Sequence, residues 1–170
     1  QKLILEAAKY SPADFLVVNP SFMLGAYDSK PSSGQIVKLS YRMRFVFVPP
    51  GGKNFVHVKD VAIGICNAIE HGKNGECYLL GNENLTFDEF FKMVEKSSGY
   101  KSFHVPIPGV ILKAGGFLAG ILCKCGLKSS FNWINANILC EGNYYSNKKA
   151  VRELSMPGTP IKLAVEDAIS

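Results

Sequence analysis

Hydrophobic and polar positions along this chain switch between short unbroken apolar runs and stripes with a helical period. In "DFLVVNPSFMLGAYD", residues 14–28, Phe15 to Val18 is continuous and β-branched at its end, which predicts a buried strand over 14–18 covered on both faces. Pro20 cannot donate to a sheet ladder, so the strand is expected to stop there or to lie free on that side. Ser21 to Gly25 then read as a loop that still carries Phe22, Met23 and Leu24. Apolar residues in a loop at a strand's carboxyl end suit the floor of a ligand crevice in an open α/β sheet.

The remaining pattern predicts alternating elements. "QKLILEAAKY" has a helical stripe at Leu3, Ile4, Ala7 and Ala8, and "KPSSGQIVKLSYRM" offers Ser32 or Ser33 as N-cap before Ile36, Val37, Leu39 and Met43. "RFVFVPPGGKNFVHV" reads as two β segments, 44–48 and 54–58, around a Pro/Gly turn. Asp60 is expected to cap a helix with apolar positions Val61, Ile65, Ala68 and Ile69, closed by Gly72. "ECYLLG" is a strand, and "TFDEFFKMVEKSSG" a helix with a capping box from Thr86 to Glu89 and a stop at Gly99. Beyond 105–108 only helices are predicted, over 109–123, 131–141, 147–154 and 160–169, the last opened by Pro160. Strands alternating with helices, then a helical tail, give an α/β class with parallel strands.

Composition narrows this. Of 170 residues, 47% are hydrophobic and 19% charged, so a packed core is expected and disorder is not. The net charge of +5 is scattered without a basic, aromatic-interleaved stripe, which argues against nucleic acid and favours anionic small molecules. Five cysteines with no C-x-x-C, and His57, His71 and His104 each in a different segment, point to reduced thiols in a cytoplasmic protein and to no metal site. "CKC" at 123–125, before the helix terminator Gly126, reads as chance rather than a redox pair. "GVILKAGGFLAGILC" carries only Lys113 and falls short of the roughly 20 apolar residues that span a bilayer. Its Gly116/Gly120 spacing is taken as close helix packing, and membrane contact is not expected. The segment is expected to line an apolar substrate pocket, to make a subunit contact, or both, since it has almost no polar face. Both ends of the chain look cut, so it is expected to be part of a larger protein.

Chemistry-bearing motifs are few. No GxGxxG, P-loop, GxSxG or HExxH occurs, and no nucleophile or acid–base pair stands out. In "KNFVHVKDVAIGI", alternation places Phe55, His57 and Lys59 on one side and Val56 and Val58 on the other. His57 either ties strand to helix or points into a cleft. Lys53 is either an exposed turn lysine or a partner for an anion.

Four stretches, "LVVNPSFMLGAYD", "NFVHVKDVAIGICNAIEHG", "ECYLLGNENLTFDEFFKMV" and "SNKKAVRELSMPGTPIKLAVEDAI", resemble in order and spacing the carboxyl-terminal half of extended short-chain dehydrogenase/reductases of the NAD-dependent epimerase/dehydratase group, and within it the dihydroflavonol 4-reductase-like proteins. The resemblance is loose over 101–140. It implies an α/β fold, the C-terminal part of a Rossmann-like doubly wound sheet plus a small, mainly helical substrate-binding lobe. Residues 1–100 would belong to the NAD(P)-binding domain with interleaved lobe segments, and 101–170 to the helical substrate region. It further implies that Pro20, Ser21, Phe22 and Leu24 line the nicotinamide pocket of NAD or NADP, and that Lys53 and His57 lie on the substrate side. Lys53 stands where nucleotide-sugar epimerases carry an arginine that grips a diphosphate, and a lysine lacks that bidentate fork. The glycine-rich phosphate loop and the Tyr-x-x-x-Lys pair of the family are expected before Gln1, so no catalytic residue is expected here and the chain alone should be inactive. The implied reaction is reduction of a carbonyl, or oxidation of an alcohol, on a small apolar molecule. The alternatives are a nucleotide-sugar epimerase or dehydratase, and a non-catalytic NAD(P)-binding protein on the same fold. A homo-oligomer is compatible with all three.

Overall fold

Among the described residues, which are 2–27, 34–124 and 133–169 of the computed structural model, strands pair in parallel and helices connect them. The order is α1 (Lys2–Ala8), β1 (Val17–Pro20), β2 (Phe22–Leu24), α2 (Gln35–Lys38), β3 (Phe45–Val48), β4 (Gly52–His57), α3 (Val58–His71), β5 (Cys77–Leu80), β6 (Glu83–Thr86), α4 (Phe87–Ser98), β7 (Phe103–Pro106), α5 (Gly109–Lys124), α6 (Trp133–Cys140), β8 (Gly142–Asn143), α7 (Lys148–Leu154) and α8 (Ile161–Ile169). The expected caps Ser32 and Ser33, and Cys125 with Gly126, lie outside the described residues. The chain divides into two units: residues 1–35, 54–83 and 145–170, and residues 36–53 and 84–144.

In the first unit, β1 pairs with β5 from Val17↔Cys77 to Pro20↔Leu80. The expected strand over 14–18 therefore starts three residues later, ends two later and includes the proline. Val17 N donates to Glu76 O and Ser21 N to Leu80 O, so odd positions address β5 while Pro20, with no N–H to give, faces the other way. Phe15 falls outside the strand, its N–H held by Asn74 Oδ1 and its carbonyl by Gly75 N. Residues 17–19 are half-buried, short of the two-sided cover expected of the run. Phe22–Leu24, expected as loop, forms β2 and pairs with β4 from Phe22↔Phe55 to Leu24↔His57.

Asp60 is not the helix cap. That position belongs to His57, whose side chain accepts the Lys59 N–H, while Asp60 sits in the first turn. Lys59 thus belongs to the helix rather than to the strand face shared by Phe55 and His57. The buried face of α3 runs through Val61, Gly64 and Ala68, leaving the expected stripe members Ile65 and Ile69 exposed. Val56, Val61, Ala68, Tyr78 and Leu80 pack with Ala150, Leu154 and Met156, so the carboxyl-terminal segment completes this core.

In the second unit, β3 and β7 pair from Phe45↔Phe103 to Val48↔Pro106, with Val46 and Val48 buried and Phe45 and Phe47 exposed, the alternation of a half-covered strand. Phe87, Phe90, Phe91 and Val94 form the buried face of α4. Its capping box is present as expected, Thr86 Oγ1 accepting from Glu89 N at 3.2 Å and Glu89 Oε2 from Thr86 N at 2.8 Å. Gly99 ends the helix at φ 68°, a left-handed conformation that favours glycine. β6, β7 and the two-residue β8, which pairs with Gly52 and Lys53, are strands the hydrophobic pattern did not reveal.

Tyr78 shows how the first unit is tied. Its ring is fully buried, and its hydroxyl accepts from Lys73 N at 3.1 Å and donates to Glu153 Oε2 at 3.2 Å. Arg152, Lys73 and Tyr78 together hold the Glu153 carboxyl down from 4.5 to about 2. A carboxyl depressed by folding stabilises above its ordinary value, and that stability is lost as pH falls toward the folded value. Urea midpoints measured across the acid range should therefore drop between pH 4.5 and about 2. Glu153→Gln should lower the neutral-pH midpoint and flatten that limb; an unchanged acid limb in the variant would refute the assignment.

Candidate functional site

The residues expected to face a cofactor run through the first unit from the carboxyl end of β1 to the carboxyl end of β2. β1 ends on Pro20, Ser21 bridges to β5 through its N–H, and β2 carries Phe22 and Leu24 alongside β4. The Phe22 ring stands edge-on to Phe55 at 5.4 Å, which fixes its orientation. Leu24 is only 2% exposed, so its side chain belongs to the core and what it can offer a ligand is backbone. The strand register brings Leu24 beside His57, and a Cβ on Gly25 would lie 2.4 Å from Val58 Cγ1 and 3.8 Å from His57 Cε1. Pro20 thus ends β1 in one sheet, while Leu24 and His57 end β2 and β4 side by side in another, with Ser21 and Phe22 between them in the chain.

His57 is buried and both ring nitrogens are engaged. Nδ1 accepts the Lys59 N–H at 3.1 Å, which leaves the ring proton of the neutral tautomer on Nε2, 3.4 Å from Asp167 Oδ2. Lys59 Nζ holds the same carboxylate at 2.7 Å, and this contact pulls the Asp167 carboxyl below its ordinary value. To meet a substrate, His57 would have to surrender one of these partners. Lys53 belongs to the second unit, where its backbone pairs with Asn143 and burial pushes its ammonium down from the usual lysine value.

Beneath the Pro20–Leu24 ribbon lies a polar knot that no motif flagged. Asn54, 1% exposed, accepts Asn82 N at 3.1 Å on Oδ1 and donates through Nδ2 to Tyr145 O at 3.3 Å. Asn147 Nδ2 donates to Gly81 O at 2.6 Å. The Ser21 hydroxyl oxygen is buried here without a hydrogen-bond partner, 3.3 Å from where a Gly81 Cβ would stand. Buried unpaired hydroxyls are uncommon and mark a place where a partner is wanted.

The second unit has its own cavity, about 430 Å³, walled by Val48, Pro50, Pro106 and Ile107 with Asp88 and His104 at its edge. His104 Nδ1 lies 2.9 Å from Asp88 Oδ1 and Nε2 3.3 Å from Glu95 Oε2. The Asp88 carboxyl is held low, first by His104 and then by Lys92. The sequence treats His104 as isolated; the available signal was Asp88 and Glu95 two turns apart on one face of α4.

The spacing Tyr-x-x-x-Lys occurs twice, at Tyr144/Lys148 and Tyr145/Lys149, contrary to the expectation that the chain lacks it. Both tyrosines precede α7, so neither spacing is a helical i,i+4 pair. Lys149 is committed to Glu76 and to Cys77 O, over the Tyr78 ring.

No family profile matches the chain. It is 29% identical over 162 residues to a Synechocystis sp. protein bearing the name dihydroflavonol 4-reductase, covering 92% of this chain and 47% of that one. It is 27% identical to sterol demethylase protein B of Methylococcus capsulatus, covering 99% of this chain and 52% of that one. The crystal structure of gox2253 matches 99% of this chain and 52% of its own with TM-score 0.77 and 32% identity. A nucleoside-diphosphate-sugar epimerase, PA4631 of Pseudomonas aeruginosa, matches 99% of this chain and 50% of its own with TM-score 0.72 and 20% identity, and RMD of the same organism, solved with NADPH, gives 0.66 at 13% identity, covering 99% of this chain and 51% of its own. The last two likenesses show the fold, which is Rossmann-like. The chain spans about half the length of the curated relatives it matches.

A Cβ on Gly81 would stand 2.1 Å from Asn54 Oδ1, so Gly81→Ala must displace the amide at the centre of the knot. Gly81→Ala and Asn54→Ala should each cost about 2 kcal/mol in urea unfolding, the latter by leaving buried partners unpaired. The double variant should cost clearly less than the sum, because removing the amide makes room for the new methyl. Strict additivity would show that the two positions do not share one constraint.

Proposed function

Because this chain corresponds to the carboxyl-terminal half of an extended short-chain dehydrogenase/reductase of the NAD-dependent epimerase/dehydratase family, we propose that it is the substrate-side part of an NAD(P)-dependent oxidoreductase that reduces a carbonyl, or oxidises an alcohol, of a small apolar molecule. The observation that carries this reading is the pairing of Leu24 with His57 at the carboxyl ends of the parallel strands β2 and β4, with Pro20 at the carboxyl end of β1 joined to β2 by Ser21 alone, since open α/β sheets take their ligands at such ends.

The residues present fit a nicotinamide. The Ser21 hydroxyl is buried and lacks a partner, Pro20 presents no competing N–H, and the Phe22 ring is held by Phe55 so that it can exclude water from a ring face. A bound nicotinamide would supply or accept the hydride. The chain's own contribution is to orient and to dry the site. His57, locked by Lys59 and Asp167, positions the turn from β4 into α3. Lys53, without the bidentate fork of an arginine, is a weaker grip on a diphosphate. No GxGxxG occurs in the chain, and pyrophosphate recognition rests on such a turn at a helix N-terminus.

A second reading, a nucleotide-sugar epimerase or dehydratase, is favoured by the fold neighbours whose names describe that activity. The two are separated in a protein carrying this chain joined to its nucleotide-binding half. Turnover of apolar ketones or aldehydes with NADPH or NADH, and none of UDP- or dTDP-sugars, is the expected outcome. Conversion of the nucleotide sugars instead would establish the second reading. This chain alone should show no saturable change in NADH or NADPH fluorescence in the micromolar range of ordinary cofactor sites, about 1 μM to 1 mM. Micromolar affinity would overturn the division of the site between two halves.

A further inference from the structure

Over residues 109–120 of α5 the exposed positions are Val110, Ile111, Ala114, Phe117 and Leu118, which recur at the spacing of one helical face. Gly116 on the opposite side is buried. On α6, Trp133, Ile134 and Ile138 are exposed. The two stripes join where the Phe117 ring stands edge-on to Trp133 at 6.4 Å. Exposure is high, with Val110 at 79%, Phe117 at 58%, Leu118 at 59% and Ile134 at 66%. A contiguous apolar patch of this kind marks an interaction surface. The sequence expected this helix to be covered by a substrate or a subunit and not to meet a membrane; the structure leaves its stripe open, and the lipid contact proposed below departs from that expectation.

Charge identifies what the patch meets. From Lys96 to Cys140 the chain has no Asp or Glu, but five lysines. The second unit holds ten Lys and Arg against four Asp and Glu, a net +6, while the first holds nine against ten. The protein's whole positive balance therefore lies in the unit that bears the patch. Residues 109–140, which contain α5 and α6, hold three lysines and no acid, so a second copy meeting this segment with its own would bring like charge against like. An anionic lipid surface satisfies both features, since aromatic and aliphatic side chains enter the headgroup–acyl boundary while lysines stay with the phosphates. Among the described residues no helix is long and apolar enough to cross a membrane, so the attachment is peripheral.

We propose that the α5–α6 pair docks on an anionic lipid surface, with Phe117, Leu118, Trp133 and Ile134 entering the interface. Trp133 is the single tryptophan of the chain and reports directly. Titrated with phosphatidylcholine vesicles with and without phosphatidylserine, the chain should show a blue-shifted Trp133 emission and co-flotation with the anionic vesicles, roughly tenfold stronger than with neutral ones. Added salt should weaken both. Leu118→Asp should abolish the shift with the circular dichroism spectrum unchanged, whereas Ile69→Asp, at an 81% exposed position on α3, should leave it intact. Should Leu118→Asp fail to fold, quenching of Trp133 by brominated anionic lipid in the unaltered chain decides the matter, quenching supporting insertion and its absence refuting it. No shift with anionic vesicles, equal binding to neutral ones, or a shift that follows protein concentration without lipid would overturn the proposal, the last by identifying a second copy as the occupant.

Discussion

The first unit depends on a carboxylate it has buried. Asp60, 2% exposed in the first turn of α3, accepts both the backbone N–H and the hydroxyl of Thr159 at 2.7 Å. A carboxylate removed from water without such partners would cost far more than a domain's margin of stability, so the carboxyl-terminal segment has to be in place for α3 to keep its position. The neighbouring bonds repeat the arrangement. Asn82 Nδ2 donates to Thr159 O at 2.7 Å, Glu83 accepts the N–H of Ile161 at 3.0 Å, and Asn67 donates to Leu154 O at 2.8 Å. Apolar packing of Ala150, Leu154 and Met156 supplies bulk stabilisation, while these polar bonds fix where the segment docks.

What the sequence disclosed follows the range of the interactions involved. The capping box of α4 and its glycine stop are encoded within fourteen residues, so the local pattern suffices. Asp60 was misread for the complementary reason. As an acid before an apolar helix it has the look of a cap, but its partner lies 99 residues on, and a histidine, a less usual cap, took the terminal position. The strand at 14–18 slid to Val17–Pro20 because register with β5 overrides the hydrophobic run, and a proline is tolerated where its missing N–H faces away from the neighbour. β6, with the sequence ENLT, has neither alternation nor an apolar run; only pairing makes it a strand. The stretch Pro20 to Leu24 was legible as the place where a strand breaks off amid apolar residues, but what lies against it was not, since the Asn54–Asn82–Tyr145 bonds join three separate parts of the chain.

The two units carry different physics. In the first, most polar side chains near the strand ends are spent on holding backbone: Asn54, Asn147, Asp60 and His57 each bond to a main-chain group. In the second, the notable cluster is side chain to side chain, His104 between Asp88 and Glu95, and the outer faces of β3, α5 and α6 expose aromatic and aliphatic groups. The first arrangement suits a rigid platform. The second combines an apolar cavity with an apolar, cationic exterior, properties that favour contact with hydrophobic matter.

The geometry of His57 bears on how such a platform works. Its Nδ1 is fixed as an acceptor by the Lys59 N–H, and Nε2 faces a carboxylate already neutralised by Lys59 Nζ. A base must hold a free lone pair toward the reacting atom and an acid a proton it can release there. His57 offers neither while these bonds stand. Its cost of desolvation is instead offset by fixing the turn where β4 becomes α3, beside Leu24 and Gly25, so the backbone of the ribbon cannot drift relative to the strand ends. Side chains that hold a strand end in place shape what the neighbouring backbone can present without taking part in any chemistry themselves.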